Sequence, residues 1–87
     1  MSWEDIKIEI SDAVNQTMQE RHVSPDEVKM VINHVEKEGG IKLYLPDANR
    51  YLGKNIIGNA TFYVDYSIEG GRYIINSAYV HRAEIQG

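Results

Sequence analysis

The residues best suited to chemistry sit near the C-terminus, in the tetrapeptide His81-Arg82-Ala83-Glu84. An imidazole titrates near neutral pH and can give or take a proton, while a guanidinium holds phosphate through paired donors. Tyr63 and Asp65, on an upstream alternating segment, add a phenol and a carboxylate. Metal-independent RNA cleavage needs a base for the 2′-hydroxyl, an acid for the leaving oxygen and a cation at the phosphate. His81, Arg82, Tyr63 and Asp65 cover those roles by type and are the catalytic candidates. Spacing argues against them. Successive residues of a strand point to opposite faces, so His81 and Arg82 do not share a site, and a strand-end histidine beside a salt-bridging arginine explains the pair.

The other two histidines, His22 and His34, have no spacing that suits a metal and no surrounding carboxylates, so no metal site is expected. No cofactor is expected either. Gly39-Gly40 follows a helix and Gly70-Gly71 closes a hairpin, and neither makes a phosphate cradle.

The elements that would position these residues are legible in the periodicity. Trp3, Ile6, Ile10, Ala13, Val14 and Met18 recur at three- and four-residue steps, which predicts a helix over residues 3–20, opened by Ser2 and Asp5 as a capping box. Ile8 falls off that stripe. Ser24, Pro25 and Glu27 form a second start signal: N-cap, first-turn proline and the carboxylate that completes the box. Val28, Val31, Ile32 and Val35 give this second helix its buried stripe, and Gly39-Gly40 ends it. Arg21-His22 is then a tight joint between two helices.

Beyond Gly40 the period becomes two. Ile41, Leu43 and Leu45 point one way and Lys42 and Tyr44 the other, until Pro46-Asp47-Ala48-Asn49 turns the chain. Arg50 to Lys54 reads as another short strand, with Gly53 marking a bulge or a close approach. The segments 60–69 and 72–85 flank Gly70-Gly71 as a hairpin with a primed turn. That register opposes Glu69 with Arg72, Tyr66 with Ile75, Val64 with Ser77 and Phe62 with Tyr79. It places Phe62, Val64, Tyr66, Ile68, Tyr73, Ile75, Ser77, Tyr79 and His81 on the covered face, and Tyr63, Asp65, Ile74, Val80 and Arg82 on the open one. The expectation is a single α+β domain over residues 1–87, with two N-terminal helices packed on one face of a three- to four-stranded antiparallel sheet.

Composition bounds the partners. The chain has 87 residues, a net charge of −4 and no cysteine. Residues 1–38 hold nine acidic and four basic side chains, and residues 39–87 hold four acidic and five basic. No dense basic patch is available to neutralise phosphates, which disfavours nucleic acid. No apolar run reaches a membrane span, and the acidic start is unlike a signal peptide, so a cytoplasmic protein without membrane contact is expected.

The pattern Met18, Glu20, Arg21, Val23, Ser24, Asp26, Glu27 and Val28, with a looser match through Arg50 to Lys54 and Phe62 to Tyr66, resembles small helix–helix–sheet proteins related to RelE-like toxins, of the barnase–EndoU–colicin–RelE group of ribonuclease folds. The resemblance implies that scaffold, and metal-independent ribonuclease activity or a degenerate form of it. Proteins of that kind often carry a His-Ala pair in the first helix. Here residues 12–17 hold no histidine and the chain is short of basic residues, so the resemblance implies the scaffold more than the activity.

The six tyrosines concentrate in the strands. Tyrosines suit half-buried strands and protein interfaces as well as base stacking. Tyr44, Tyr63, Ile74, Val80 and Arg82 are accordingly the expected binding residues. The function expected is a small non-catalytic binding or accessory protein acting through protein–protein contacts, as a subunit of a larger assembly or a homodimer. A small-molecule pocket between helices and sheet is a further alternative.

Overall fold

The computed structural model describes residues 3–82. Trp3–Asp5 form one 3-10 turn, followed by β1 (Ile8–Ile10), α1 (Asp12–Glu20), α2 (Pro25–Lys37), β2 (Lys42–Leu45), β3 (Arg50–Ile57), β4 (Ala60–Glu69) and β5 (Arg72–Arg82). The five strands make one sheet in the order β1-β5-β4-β3-β2. All neighbours are antiparallel except β1, which runs parallel to β5 with Ile8 beside Tyr73 and Ile10 beside Ile75.

The α+β character and the two helices match expectation, but the sheet is five-stranded and mixed rather than a three- to four-stranded antiparallel one. The extra strand comes from the start of the predicted first helix. Ile6-Lys7-Ile8-Glu9-Ile10 alternates, and the exposed edge of β5 offers those residues ladder partners, beginning with Tyr73 N–H to the Lys7 carbonyl at 3.1 Å. The helix starts only at Ser11, whose Oγ accepts from Val14 N–H at 3.2 Å. The Ser2 cap and the strand residues beyond Arg82 lie outside the described residues.

The joint between the helices is built as the sequence indicates. Val23 N–H reaches the Met18 carbonyl and His22 N–H the Gln19 carbonyl, which places His22 at φ 60°. This is a Schellman-type ending with a histidine where glycine is usual. Ser24 and Glu27 form the reciprocal capping box, with Glu27 N–H on Ser24 Oγ at 3.2 Å and Ser24 N–H on Glu27 Oε1 at 2.9 Å.

The core lies between the helices and one sheet face. Met18, Val23, Val28, Val31, Ile32 and Val35 meet Ala60, Phe62, Val64, Tyr66, Ile75 and Ala78. Gly53 is a close approach rather than a bulge: a Cβ there would sit 3.2 Å from a Val35 methyl carbon and 3.4 Å from Tyr66 Cε1. β3 also runs further than expected, to Ile57, and Gly58-Asn59 joins it to β4 as a second hairpin.

β5 departs from the predicted register. Glu69 to Tyr66 pair with Arg72 to Ile75 as expected, and both turn glycines have positive φ. A bulge between Asp65 and Tyr66 then leaves Asn76 as an extra residue, so Asp65 opposes Ser77, Val64 opposes Ala78 and Phe62 opposes Val80. Every side chain beyond Asn76 therefore exchanges faces relative to expectation. Ala78 and Val80 pack on the helix side, and Ser77, Tyr79 and His81 turn to the open side.

Candidate functional site

The bulge decides which residues can act together. On the open face, β4 presents Thr61, Tyr63, Asp65 and Ser67, and β5 presents Ile74, Asn76, Ser77, Tyr79 and His81. Tyr63 and Tyr79 stack, with ring centroids 5.0 Å apart and planes 18° from parallel. From β3 and β2 come Leu52, Ile56 and Leu43, with Leu43 directly opposite Leu52. Leu43 is 58% exposed and Ile56 65%. Lys54, between Leu52 and Ile56, stands directly opposite Tyr63, so aliphatic groups on β2 and β3 flank a lysine beside the aromatic pair on β4 and β5, with nothing packed above them among the described residues.

Polar groups around this surface are engaged with one another. Arg50 Nε lies 3.2 Å from Asp65 Oδ1, at ion-pair distance though off the line of a hydrogen bond. Asn76 Nδ2 donates to Ser67 Oγ at 3.0 Å and to Asp65 Oδ1 at 3.4 Å. The Asp65 carboxylate is held in place rather than presented to solvent as a base. Arg21, at the end of α1, donates from Nη1 to the Ala78 carbonyl at 3.2 Å and lies 6.0 Å from the Tyr79 ring centroid. It closes the part of the β5 edge that β1 leaves open.

The four catalytic candidates are divided by this geometry. Tyr63, Asp65 and His81 share the open face, whereas Arg82, expected there, pairs with buried Ala60 at the helix-side end of β5. His81, expected on the covered side, is exposed beside Tyr79. The binding candidates divide as well. Tyr63 and Ile74 lie on the open face, while Val80 packs against the core. Tyr44 projects from the other side of β2.

On that other side, Tyr44, Tyr51, Tyr66 and Tyr73 form a ladder across four strands, with neighbouring centroids 5.1, 5.7 and 5.7 Å apart. Tyr66 is fully buried, and its hydroxyl donates to Glu36 Oε2 at 2.5 Å. The same oxygen accepts from Lys42 Nζ at 2.7 Å, and Lys42 sits 4.6 Å from the Tyr51 ring centroid. Burial works against ionisation of Glu36, but the hydrogen bonds from Lys42 and Tyr66 and the nearby lysine charges outweigh it, leaving its carboxyl below the ordinary range. Burial and the Glu36 carboxylate push the Tyr66 hydroxyl strongly upward, and Tyr73 shifts the same way for the same reasons. Tyr66 therefore stays a neutral donor. Beside Tyr73 opens a cleft of about 600 Å³, lined by Asp5, Lys7, Asn33 and Lys37 among others.

Among the described residues, no group of three or more His, Asp or Glu converges as a metal site, and no helix is long and apolar enough to cross a membrane. No family model, curated protein or solved structure matches the chain.

Sequence reasoning missed Leu43, Leu52, Ile56 and Arg21 as surface-forming residues. The signal was partly present: Ile41, Leu43 and Leu45 alternate cleanly, whereas Lys54 breaks the apolar pattern between Leu52 and Ile56. Without the pairing of β2 with β3, their shared face was not evident.

Proposed function

We propose that this chain is a non-catalytic protein-binding module that docks partners on its open sheet face. The observation that carries the reading is the set of solvent-facing apolar and aromatic side chains on that face, Leu43, Leu52 and Ile56 with the stacked Tyr63 and Tyr79, which spans four strands and is interrupted on β3 by Lys54. Exposed apolar and aromatic side chains interspersed with polar ones have the composition of a protein interface. Arg21 lies at its margin beside Tyr79, the Arg50–Asp65 pair adjoins Leu52, and Lys54 stands within it, opposite Tyr63. The departure of His81 and Arg82 from opposite sides of the sheet supports binding over RNA cleavage, which would need both at one phosphate.

The test is affinity capture from the source cell with the native chain and with Ile56→Asp as baits. Ile56 is 65% exposed, so an aspartate there leaves the core untouched. A partner retained by the native chain and lost by the variant supports the reading. Equal capture by both, or none by either, refutes it.

A further inference from the structure

The sheet has two ends, and they are finished differently. At one end β1 is three residues long and carries Glu9, which is bonded to Arg72, and Arg21 covers the β5 backbone beyond it. At the other end, among the described residues, no strand pairs with the outer edge of β2. Natural edge strands are blunted by proline, bulges or projecting charge. Lys42–Leu45 contains no proline and pairs with β3 without a bulge. Its one charge, Lys42, is drawn onto Glu36 and the Tyr51 ring.

The backbone directions along β2 follow from one bond. Lys54 N–H donates to the Ile41 carbonyl at 3.1 Å, so Ile41 faces Lys54 as a hydrogen-bonded pair. Antiparallel ladders alternate, hence Leu43 and Leu45 also turn their amides inward to β3, and Lys42 and Tyr44 turn theirs outward. The outer edge therefore offers two donors and two acceptors, spaced two residues apart.

We propose that these groups pair with the same groups of a second copy, by antiparallel joining of β2 to β2 about a two-fold axis at Leu43. In this register Lys42 faces the other copy's Tyr44 and Tyr44 its Lys42, which makes four backbone hydrogen bonds. Leu43 meets its own symmetry mate as a close, non-hydrogen-bonded pair, and Ile41 lies opposite Leu45. All six aliphatic side chains fall on the open face, where Ile41 is 71% exposed and Leu43 58% in one copy. The neighbouring registers fail. Centring on Lys42 sets two lysines against each other, and centring on Tyr44 brings Pro46, which has no N–H, opposite Lys42. The edge is self-complementary in one register, which is why a second copy is the occupant. The product is a ten-stranded sheet whose two open faces join on one side. The inference deepens the protein-binding reading by naming one partner, and it rests on that reading while using the edge rather than the face.

The test combines light-scattering mass with cysteine cross-linking in a chain that has no cysteine of its own. The native chain is expected to show a dimer mass. Leu43→Cys is expected to form a covalent dimer under mild oxidation, because a close antiparallel pair lies within disulfide reach, whereas Leu52→Cys, one strand inward on the same face, is expected to remain monomeric on denaturing gels. Leu43→Lys, with circular dichroism unchanged, is expected to weaken the dimer about a hundredfold by opposing like charges at the axis. A monomeric mass at every concentration overturns the proposal. So does a dimer that survives Leu43→Lys and does not cross-link through Leu43→Cys. In either case partner capture lost on Ile56→Asp would leave the open-face reading standing.

Discussion

Replacing Tyr66 with phenylalanine isolates the polar contact at the centre of the fold. The ring is fully buried between Tyr51 and Tyr73, and phenylalanine keeps that packing. What disappears is the hydroxyl that donates to Glu36 Oε2. A hydrogen bond to a charged partner contributes about 1.5–3 kcal/mol. Glu36 keeps Lys42 and no buried donor is orphaned, so the lower end applies, about 1.5 kcal/mol at pH 7. In a domain of this size that lowers the melting temperature by roughly 6–12 °C.

The loss should depend on pH. The Glu36 carboxyl lies lower in the folded chain than in the unfolded one, so its contribution is complete above the unfolded value and is lost as pH falls through the folded one. Removing the Tyr66 hydroxyl takes away one of the interactions that hold it down. The stability difference between native and Tyr66→Phe chains is therefore widest near pH 7 and narrows as the pH drops below the ordinary carboxylate range. Urea unfolding followed by circular dichroism at a series of pH values measures it. A difference under about 0.5 kcal/mol at pH 7, or one that stays constant down to the acid limit of folding, would refute the reasoning.

Four further outcomes are expected. Ser24→Ala breaks the capping box of α2 and should cost about 1 kcal/mol in urea unfolding. Gly53→Ala drives a methyl group into Val35 and Tyr66, both buried, and should cost about 1–2 kcal/mol, with part recovered in the Gly53→Ala, Val35→Ala double variant. His22→Gly relieves a side chain held at φ 60° and should raise stability by about 0.5–1 kcal/mol, read as a higher melting temperature. Deleting Asn76 should leave a folded protein, because it removes the bulged residue and keeps Ile75, Ala78 and Val80 on the core face; an amide NMR spectrum that loses its dispersion would contradict the bulge assignment.

Local signals carried much of this architecture. The Ser24-Pro25-Glu27 start, the Gly39 stop and the Gly70-Gly71 turn act through bonds between residues close in sequence, so their chemistry is readable in place. The stripe Val28, Val31, Ile32 and Val35 is equally legible, because helical period alone puts those side chains on one side. Alternation assigns Phe62, Val64 and Tyr66 to the core, and they lie there.

Long-range pairing decided the rest. Residues 6–10 fit a helical stripe and a strand alternation at once, and the free edge of β5 selects the strand by offering it backbone partners. The bulge at Asn76 carries no glycine to announce it, yet it reverses six residues and moves His81 and Tyr79 to the open face while turning Val80 inward. The site inherits that reversal. Tyr63 and Tyr79 become neighbours only once Val64 opposes Ala78, a register that puts Val64 and Ala78 together in the core. Short-range hydrogen bonding and periodicity were set by the amino-acid order itself; which face each strand residue finally shows depends on register, and register is a property of two strands together.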